Sequence, residues 1–405
     1  MSSKRAVAFF AVLGFLWISF AVAFHSRRQS SATNTPTSFA YHSPPPATCT
    51  PPRKYEDFDV LGPEVHSKLA TETVSNPYGP PKVPTTGDWS RDSKFCLNVT
   101  DDAQGALAKK FKFVVCTHSS EDTVSRHWQQ VGYWYDCNGL PFLAYAAYWA
   151  SEYRTKNHQP LVLDVGGNIG SCTHVFHQLG MCPVTWEPAP RNWKLLYAAW
   201  RINGWQCGHL VTAGAAASAG KSVIHIIKSN RGGSFIGKHQ SHNESFKNLD
   251  VYETYTVPLA RIDSVVRHHV HFMKMDIQGF EAHALKGASR LLERYDIDMI
   301  FVEVAPLLMK NAGSDPMDTF RLLHRFGYIL LNPSNGEKVL PENEPGMVQT
   351  MLAAYTGWGE MNVIAIAPRI FSRISIPKLL RGFNLTQDID QWPSDLEAWK
   401  ELARI

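Results

Sequence analysis

The residues at 161–170, Leu-Val-Leu-Asp-Val-Gly-Gly-Asn-Ile-Gly, carry the most chemically specific spacing in the chain. An apolar run ends on Asp164 and Val165, then turns through glycines into a helical pattern. Gly166 and Gly170 permit a tight turn and close backbone approach. The spacing D-x-G-x-N-x-G differs from the dinucleotide fingerprint G-x-G-x-x-G. Its carboxylate inside the turn repels a pyrophosphate but tolerates a cationic sulfonium amino acid. Further on, the next apolar run ends in Trp186-Glu187, and an acid there suits the two hydroxyls of a ribose. Asp164, Gly166, Asn168, Gly170 and Glu187 are therefore the candidate cofactor-binding residues, and S-adenosylmethionine is the cofactor they point to. A fold that keeps this turn without its ligand is the competing reading.

These residues need strand ends and helix starts to hold them, and the pattern around them supplies both. Short apolar runs recur at 161–165, 184–187, 209–213, 272–276, 299–304, 328–331 and 362–366. Continuous apolar runs of this length suit buried parallel strands. Between them lie helical patterns. Residues 192–203 place Trp193, Leu196, Tyr197 and Trp200 on one face, and residues 281–294 do the same with Ala284, Leu285, Ala288, Leu291 and Leu292. A third helix opens with Asp315 as cap and Pro316 in its first turn, and Gly327 follows its end. Alternating strands and helices predict an α/β fold with a doubly wound, mostly parallel seven-stranded sheet. Residues 144–153 read as a helix ahead of the sheet. Ser394 to Glu397 read as a capping box opening a terminal helix.

Several blocks resemble the FkbM family of S-adenosylmethionine-dependent methyltransferases. They are residues 163–170, then Trp186-Glu187-Pro188-Ala189-Pro190-Arg191-Asn192, then Pro258-Leu259-Ala260-Arg261-Ile262-Asp263 ahead of residues 273–281 and Leu285-Lys286-Gly287-Ala288. The run 274–288 looks like the family's most distinctive signature, and Val124-Ser125 and Gly132-Tyr133-Trp134 resemble its lead-in. The resemblance covers about residues 123–367 and implies a Rossmann-like class I methyltransferase. One position departs: the family often has Glu where this chain has Gln278, and a glutamine cannot act as a base.

What the resemblance implies is methyl transfer to a hydroxyl oxygen, commonly on a sugar, so the expected acceptor is a glycan. Asp276 ends the fourth strand, at the carboxyl edge where open α/β sheets bind ligands. It is the first candidate for base or substrate-orienting group, and Glu303, at the end of the fifth strand, is the second. Glu281 reads equally well as a first-turn helix acid. Asp276, Glu281 and Glu303 offer oxygen ligands for Mg²⁺, but nothing in the sequence fixes their geometry, so no metal ligand is assigned. The His268-His269-Val270-His271 cluster, at the opposite edge, reads as a solvated loop. Residues 230–235 read as an acceptor-binding loop or a plain hairpin connection. A methyltransferase of lipids or protein side chains, and a non-catalytic lumenal binding protein, are the rival functions.

The amino terminus reads as an address. Residues 6–24 carry no charge and as a helix would span about 28 Å, close to a bilayer's hydrocarbon core. Lys4 and Arg5 precede the run and Arg27 and Arg28 follow it, which weakly favours a cytosolic amino terminus. Ala21-Val22-Ala23 also reads as a signal-peptidase site, so secretion after cleavage near Ala23 competes with a signal-anchor. Eleven of the 25 prolines fall between Pro36 and Pro84, with Ser and Thr filling the gaps. Such a segment stays extended. The expected order is a tail at 1–5, an anchor at 6–24, a stem at 25–95, a lead-in at 96–159, the methyltransferase domain at 160–368 and an extension at 369–405. This is the layout of a type II Golgi enzyme. Sequons at Asn98, Asn243 and Asn384 agree with a lumenal course.

The 405 residues are 44% hydrophobic and 19% charged, with a net charge of +4. That is globular composition. No run of consecutive Lys or Arg exceeds two residues, so nucleic acid is not an expected partner; oligomeric state has no signal. Seven cysteines are an odd count, and no C-x-x-C pair suggests structural zinc. Cys182 and Cys207 each precede a strand, and if those strands are parallel neighbours their starts share an edge. A disulfide between them is expected, with Cys172 a free buried thiol.

Overall fold

The computed structural model describes residues 96–98, 113–154, 159–205, 207–237, 249–339, 360–393 and 395–404. The expected tail, anchor and stem, Cys49, Asn243 and Ser394 lie outside them. Among the described residues no helix is long and apolar enough to cross a membrane.

The lead-in begins with β1 (Cys96–Asn98) and β2 (Val114–Cys116), an antiparallel pair in which Cys96 stands opposite Cys116 and is disulfide-bonded to it. Helix α1 (Thr123–Val131) is capped by the Asp122 carboxylate, which accepts the Ser125 N–H at 2.9 Å. One 3-10 turn, Tyr135–Cys137, joins it to α2 (Leu140–Ala150). Helix α2 is apolar on every face and is accordingly buried on almost every side.

The main sheet follows the expected alternation: β3 (Leu161–Val165), α3 (Ser171–Gln178), β4 (Cys182–Trp186), α4 (Pro190–Asn203) and β5 (His209–Val211). An excursion then supplies β6 (Gly214–Ala215), β7 (Gly220–Ile227), β8 (Phe235–Ile236) and β9 (Val251–Ala260). The chain re-enters the main sheet through α5 (Ile262–Val265) and β10 (Val270–Met275), continuing with α6 (Glu281–Gly287), α7 (Ser289–Glu293) and β11 (Ile297–Val304). It closes with α8 (Pro306–Asn311), α9 (Met317–Arg325), β12 (Ile329–Leu331), β13 (Met361–Ile366), α10 (Pro368–Phe371), α11 (Ile376–Leu385) and α12 (Leu396–Leu402).

All seven expected strands form one sheet, ordered β12-β13-β11-β10-β3-β4-β5. β11, β10, β3, β4 and β5 are parallel, and β13 runs antiparallel to β11 and β12. Val162, Leu163, Val165, Phe272, Met273, Ile300 and Val302 are fully buried, each contributing about 1.5–3 kcal/mol of burial free energy. Strand order reverses between β3 and β10, so the carboxyl edge there is where an open sheet makes room for a ligand.

Four local readings change. The expected helix over 281–294 is two helices meeting at Ala288: a Cβ on Gly287 would sit 2.0 Å from the Ala216 carbonyl oxygen, so the excursion's backbone presses on the helix there. The excursion is a second sheet, ordered β6-β9-β7-β8, absent from the expected elements, while residues 230–235 join β7 to β8 as the hairpin connection, one of their two readings. The terminal helix is capped by Asp395, whose carboxylate accepts the Ala398 N–H at 2.8 Å. The histidine cluster is not a solvated loop: His271 lies inside β10 and is buried, and His269 bonds Asp298 at 2.6 Å, with Arg369 on that acid's other oxygen.

The cysteine expectations also need correction. β4 and β5 are parallel neighbours, and the Cys182 and Cys207 thiols do face each other, but they form a hydrogen-bonded free pair rather than a disulfide. Cys172 is not free. It bridges to Cys137, with Cα atoms 5.1 Å apart, because the turn carrying Cys137 packs on the first turn of α3.

Candidate active site

The glycine-rich turn hangs from the end of β4. Gly166 and Gly167 donate their N–H groups to the Trp186 carbonyl at 3.0 and 2.9 Å, and the Asn168 N–H donates to Glu187 Oε2 at 2.8 Å. Asn168 holds a left-handed φ of 50° and Gly166 one of 93°. Glycine is required at 166, because a Cβ there would lie 1.8 Å from the Asp276 carbonyl oxygen. Gly170, at φ 92°, lets the chain enter α3 against the His174 ring. The turn, the end of β4 and the end of β10 are thus one rigid assembly.

Glu187 is buried, and Oε1 also accepts the Ala189 N–H at 2.8 Å. Burial pushes its carboxyl up to about 7, against the opposing pull of these N–H donors. A carboxylate offers about four acceptor positions, so lone pairs remain for ribose hydroxyls. Asn168 Oδ1 is buried without a protein partner. A leftover acceptor and a strand-end carboxylate flanking a turn of this shape fit the amino-acid and ribose portions of S-adenosylmethionine.

Asp164 is fully buried, so its place is beneath the turn. Its Oδ2 accepts the Thr173 hydroxyl at 2.6 Å, and Lys274 Nζ stands 3.8 Å from Oδ1. Lys274 also donates to the Gly166 carbonyl at 3.0 Å and lies 3.1 Å from Asp276 Oδ2. Burial alone would lower the lysine's pKa, but Asp276 and Asp164 more than offset this and hold it above its ordinary value. One ammonium therefore ties the turn, the buried acid and the candidate catalytic acid together.

Asp276 and Glu303 are brought together. Gln278, at φ 53°, donates its amide to Asp276 Oδ1 and to Glu303 Oε1, each at 2.9 Å. A glutamate here would add a third carboxylate, whereas the amide supplies the donor that two adjacent acids need. Burial would raise Asp276, but Lys274 and Gln278 outweigh it and keep its pKa below the ordinary value. Glu303 goes the other way: burial first, then the charges of Asp276, Glu360 and Asp136, push it well above. Opposed shifts in neighbouring acids are how a site assigns a fixed charge and a proton carrier. Glu281 is elsewhere engaged: its buried Oε1 accepts the Ile277 and Gly279 N–H groups at 3.2 and 3.1 Å. Burial pushes its carboxyl up to about 7.

Three contributors escaped the sequence reading as site residues. Lys274 was visible only as a polar residue inside an apolar strand, which is itself a signal of a buried partner. Asp136 and Glu360 had no signal, because they reach the acids from distant parts of the chain. Both residues are exposed overall, yet desolvation of the carboxylate together with the Asp276 charge pushes each up to about 7. Among the described residues, the group of histidine and acid side chains close enough to share one ion is His269, His271 and Asp298, away from this edge.

Residues 164–330 match the family described as Methyltransferase FkbM domain. Among solved structures, the chain is similar to methyltransferase FkbM from Methylobacillus flagellatus KT, at 16% identity and TM-score 0.31, over 54% of this chain and 48% of that one. The chain thus spans about half the length of that protein. It is similar to an rRNA methylase from Streptococcus thermophilus, at 10% identity and TM-score 0.28, over 55% and 92% of the two chains. It is also similar to the plantazolicin methyltransferase BpumL in complex with SAH, at 11% identity and TM-score 0.28, over 57% and 87%. No curated protein matches.

Proposed function

We propose that the chain, whose residues 164–330 match the methyltransferase FkbM domain, is an S-adenosylmethionine-dependent O-methyltransferase acting on a sugar hydroxyl of a glycan in the secretory lumen. The observation that carries the reading is the Asp276–Gln278–Glu303 bridge beside the glycine-rich turn. When bound, S-adenosylmethionine supplies a methyl group whose bond to a positive sulfonium breaks with its electrons staying on sulfur. The chain's task is to hold a hydroxyl in line and take its proton. Lys274 keeps Asp276 ionised, so Asp276 orients the hydroxyl by charge. The Glu303 carboxylate, its Oε1 steadied by Gln278, takes the proton as the oxygen–carbon bond forms. Positioning supplies most of the rate.

Donor binding is tested by calorimetry on the full chain. Both S-adenosylmethionine and S-adenosylhomocysteine are expected to bind. Glu187→Ala is expected to weaken both by about 1–3 kcal/mol, as the ribose hydroxyls lose an acceptor and the Asn168 N–H loses its anchor. No heat from either ligand with a folded sample would remove the donor assignment.

The lumenal placement rests on the apolar run at 6–24, the sequons and the two disulfides, Cys96–Cys116 and Cys137–Cys172, which suit an oxidising compartment. We place the chain as a single-pass type II Golgi membrane protein. Among the described side chains, the sequon asparagine Asn384 is exposed on α11, and Thr386 is buried with its hydroxyl on the Gly382 carbonyl. Expression in secretory cells is expected to give a membrane-bound product that loses mass with an N-glycosidase. A soluble cytosolic product of unchanged mass would overturn the placement.

A further inference from the structure

The turn carrying Trp134, Tyr135 and Asp136 comes from the lead-in, yet it is fastened to the donor side of the site. Cys137, its last residue, is bonded to Cys172, the second residue of α3, and α3 opens directly from Gly170. The disulfide therefore fixes this turn relative to the glycine-rich turn. Its aromatic residues support one another: the His127 ring lies 5.5 Å from Tyr133, 5.4 Å from Trp134 and 5.5 Å from Tyr135, edge to face in each case. Trp134 and Tyr135 are 4.5 Å apart. Despite this packing Tyr135 stays 47% exposed, among the few large apolar side chains left open.

The open ring belongs to a side chain within electrostatic reach of the acids of the site. The Tyr135 hydroxyl is pushed up to about 12 by burial of the group and by the charges of Asp136, Glu360 and Glu303. Asp136 hydrogen-bonds the Trp134 side chain and feels the charge of Asp276. An aromatic face beside carboxyl groups is a surface with two chemistries. The ring attracts the weakly positive C–H groups on one face of a pyranose. A carboxyl group hydrogen-bonds sugar hydroxyls through both of its oxygens.

We propose that Trp134, Tyr135 and Asp136 form the acceptor-binding wall of the site, with Tyr135 stacking on a sugar ring and Asp136 hydrogen-bonding its hydroxyls so that one hydroxyl faces Glu303. This rests on the methyl-transfer reading above. It adds that the lead-in, and not the sheet alone, selects the acceptor, and that the Cys137–Cys172 bridge sets the spacing between acceptor and donor.

The test uses the full chain loaded with S-adenosylhomocysteine and probed with methyl glycosides of mannose, galactose, xylose and fucose by saturation-transfer NMR. At least one glycoside is expected to bind the native chain. Tyr135→Ala is expected to weaken it about tenfold, the scale of one aromatic contact, while Tyr135→Phe keeps the ring and the affinity. S-adenosylhomocysteine affinity is expected to stay unchanged in both variants. If the loaded native chain binds none of the glycosides, if Tyr135→Ala binds them as well as the native chain, or if a methylammonium probe saturates the site in their place, the proposal falls and the donor assignment stands. If the native chain fails to bind S-adenosylhomocysteine, it is the methyl-transfer reading that falls.

Discussion

Replacing Glu303 by glutamine is expected to lower methyl transfer by about 10²–10⁴-fold, the usual worth of a positioned general base, with fold and donor affinity kept. Glutamine preserves shape and still accepts the Gln278 amide, so the 2.9 Å contact survives. What it cannot do is take a proton. Only the ionised form of Glu303 is a base, and its carboxyl is held well above the ordinary range by burial and by the acids around it. Turnover in the native chain is therefore expected to rise with pH through that raised value, and the glutamine variant should lose the rising limb. Asp276→Asn separates the two acids. It removes the orienting charge and lowers turnover as well, but it also removes one of the charges that raise Glu303. The limb should then persist and move to lower pH. Initial rates with labelled S-adenosylmethionine across pH check both variants. A Glu303→Gln chain with native turnover and an intact limb would show that the proton goes elsewhere.

The fold and the donor side of the site were legible because their signals are local. A buried strand, an acid and a glycine-rich turn lie within ten residues at 161–170. Gly166 is needed for a reason the sequence states only in outline, its contact with the Asp276 backbone. Asp276 and Glu303 could be placed at one edge because strand ends in a parallel sheet share an edge. Their relation could not, since it depends on Gln278 adopting a left-handed φ and aiming its amide between them. The second sheet carried a period-2 signal in Val251-Tyr252-Glu253-Thr254-Tyr255-Thr256, where exposure alternates along β9. It was missed because its partner β7 alternates only in its first half and is buried throughout its second. Cysteine pairing failed for a different reason. Adjacent strand starts bring two thiols close, as at Cys182 and Cys207, but proximity does not settle bridging, and the Cys137–Cys172 bridge depends on how the lead-in packs on α3.

Lys274→Met is expected to be the most destabilising single change in the site. The ammonium is nearly inaccessible, at 7% side-chain exposure, and its partners Asp164 and Asp276 have 0% and 25%. Methionine fills similar volume, so the loss is electrostatic rather than a cavity. Breaking a buried ion pair on one side costs about 3–5 kcal/mol, because the remaining charge stays buried without a partner. The pH dependence gives the effect a signature. Asp276 is depressed in the folded chain, so its contribution to stability is present above the ordinary carboxylate pKa and is lost as pH falls through the depressed value. Lys274 is raised, so its contribution is complete below the ordinary lysine pKa. Both are therefore in force at neutral pH. Burial raises Asp164 even beside the lysine; without the lysine burial raises it further and raises Asp276 as well, so both must take up protons to stay inside. That penalty vanishes once the unfolded chain is protonated too, near pH 4. Denaturant unfolding is expected to show a deficit that is largest at neutral pH and shrinks on acidification. Because Lys274 also holds the Gly166 carbonyl, S-adenosylhomocysteine binding should weaken in the same variant. A deficit that stays constant with pH would mean that Lys274 stabilises the chain by packing, and that Asp276 keeps its charge without it.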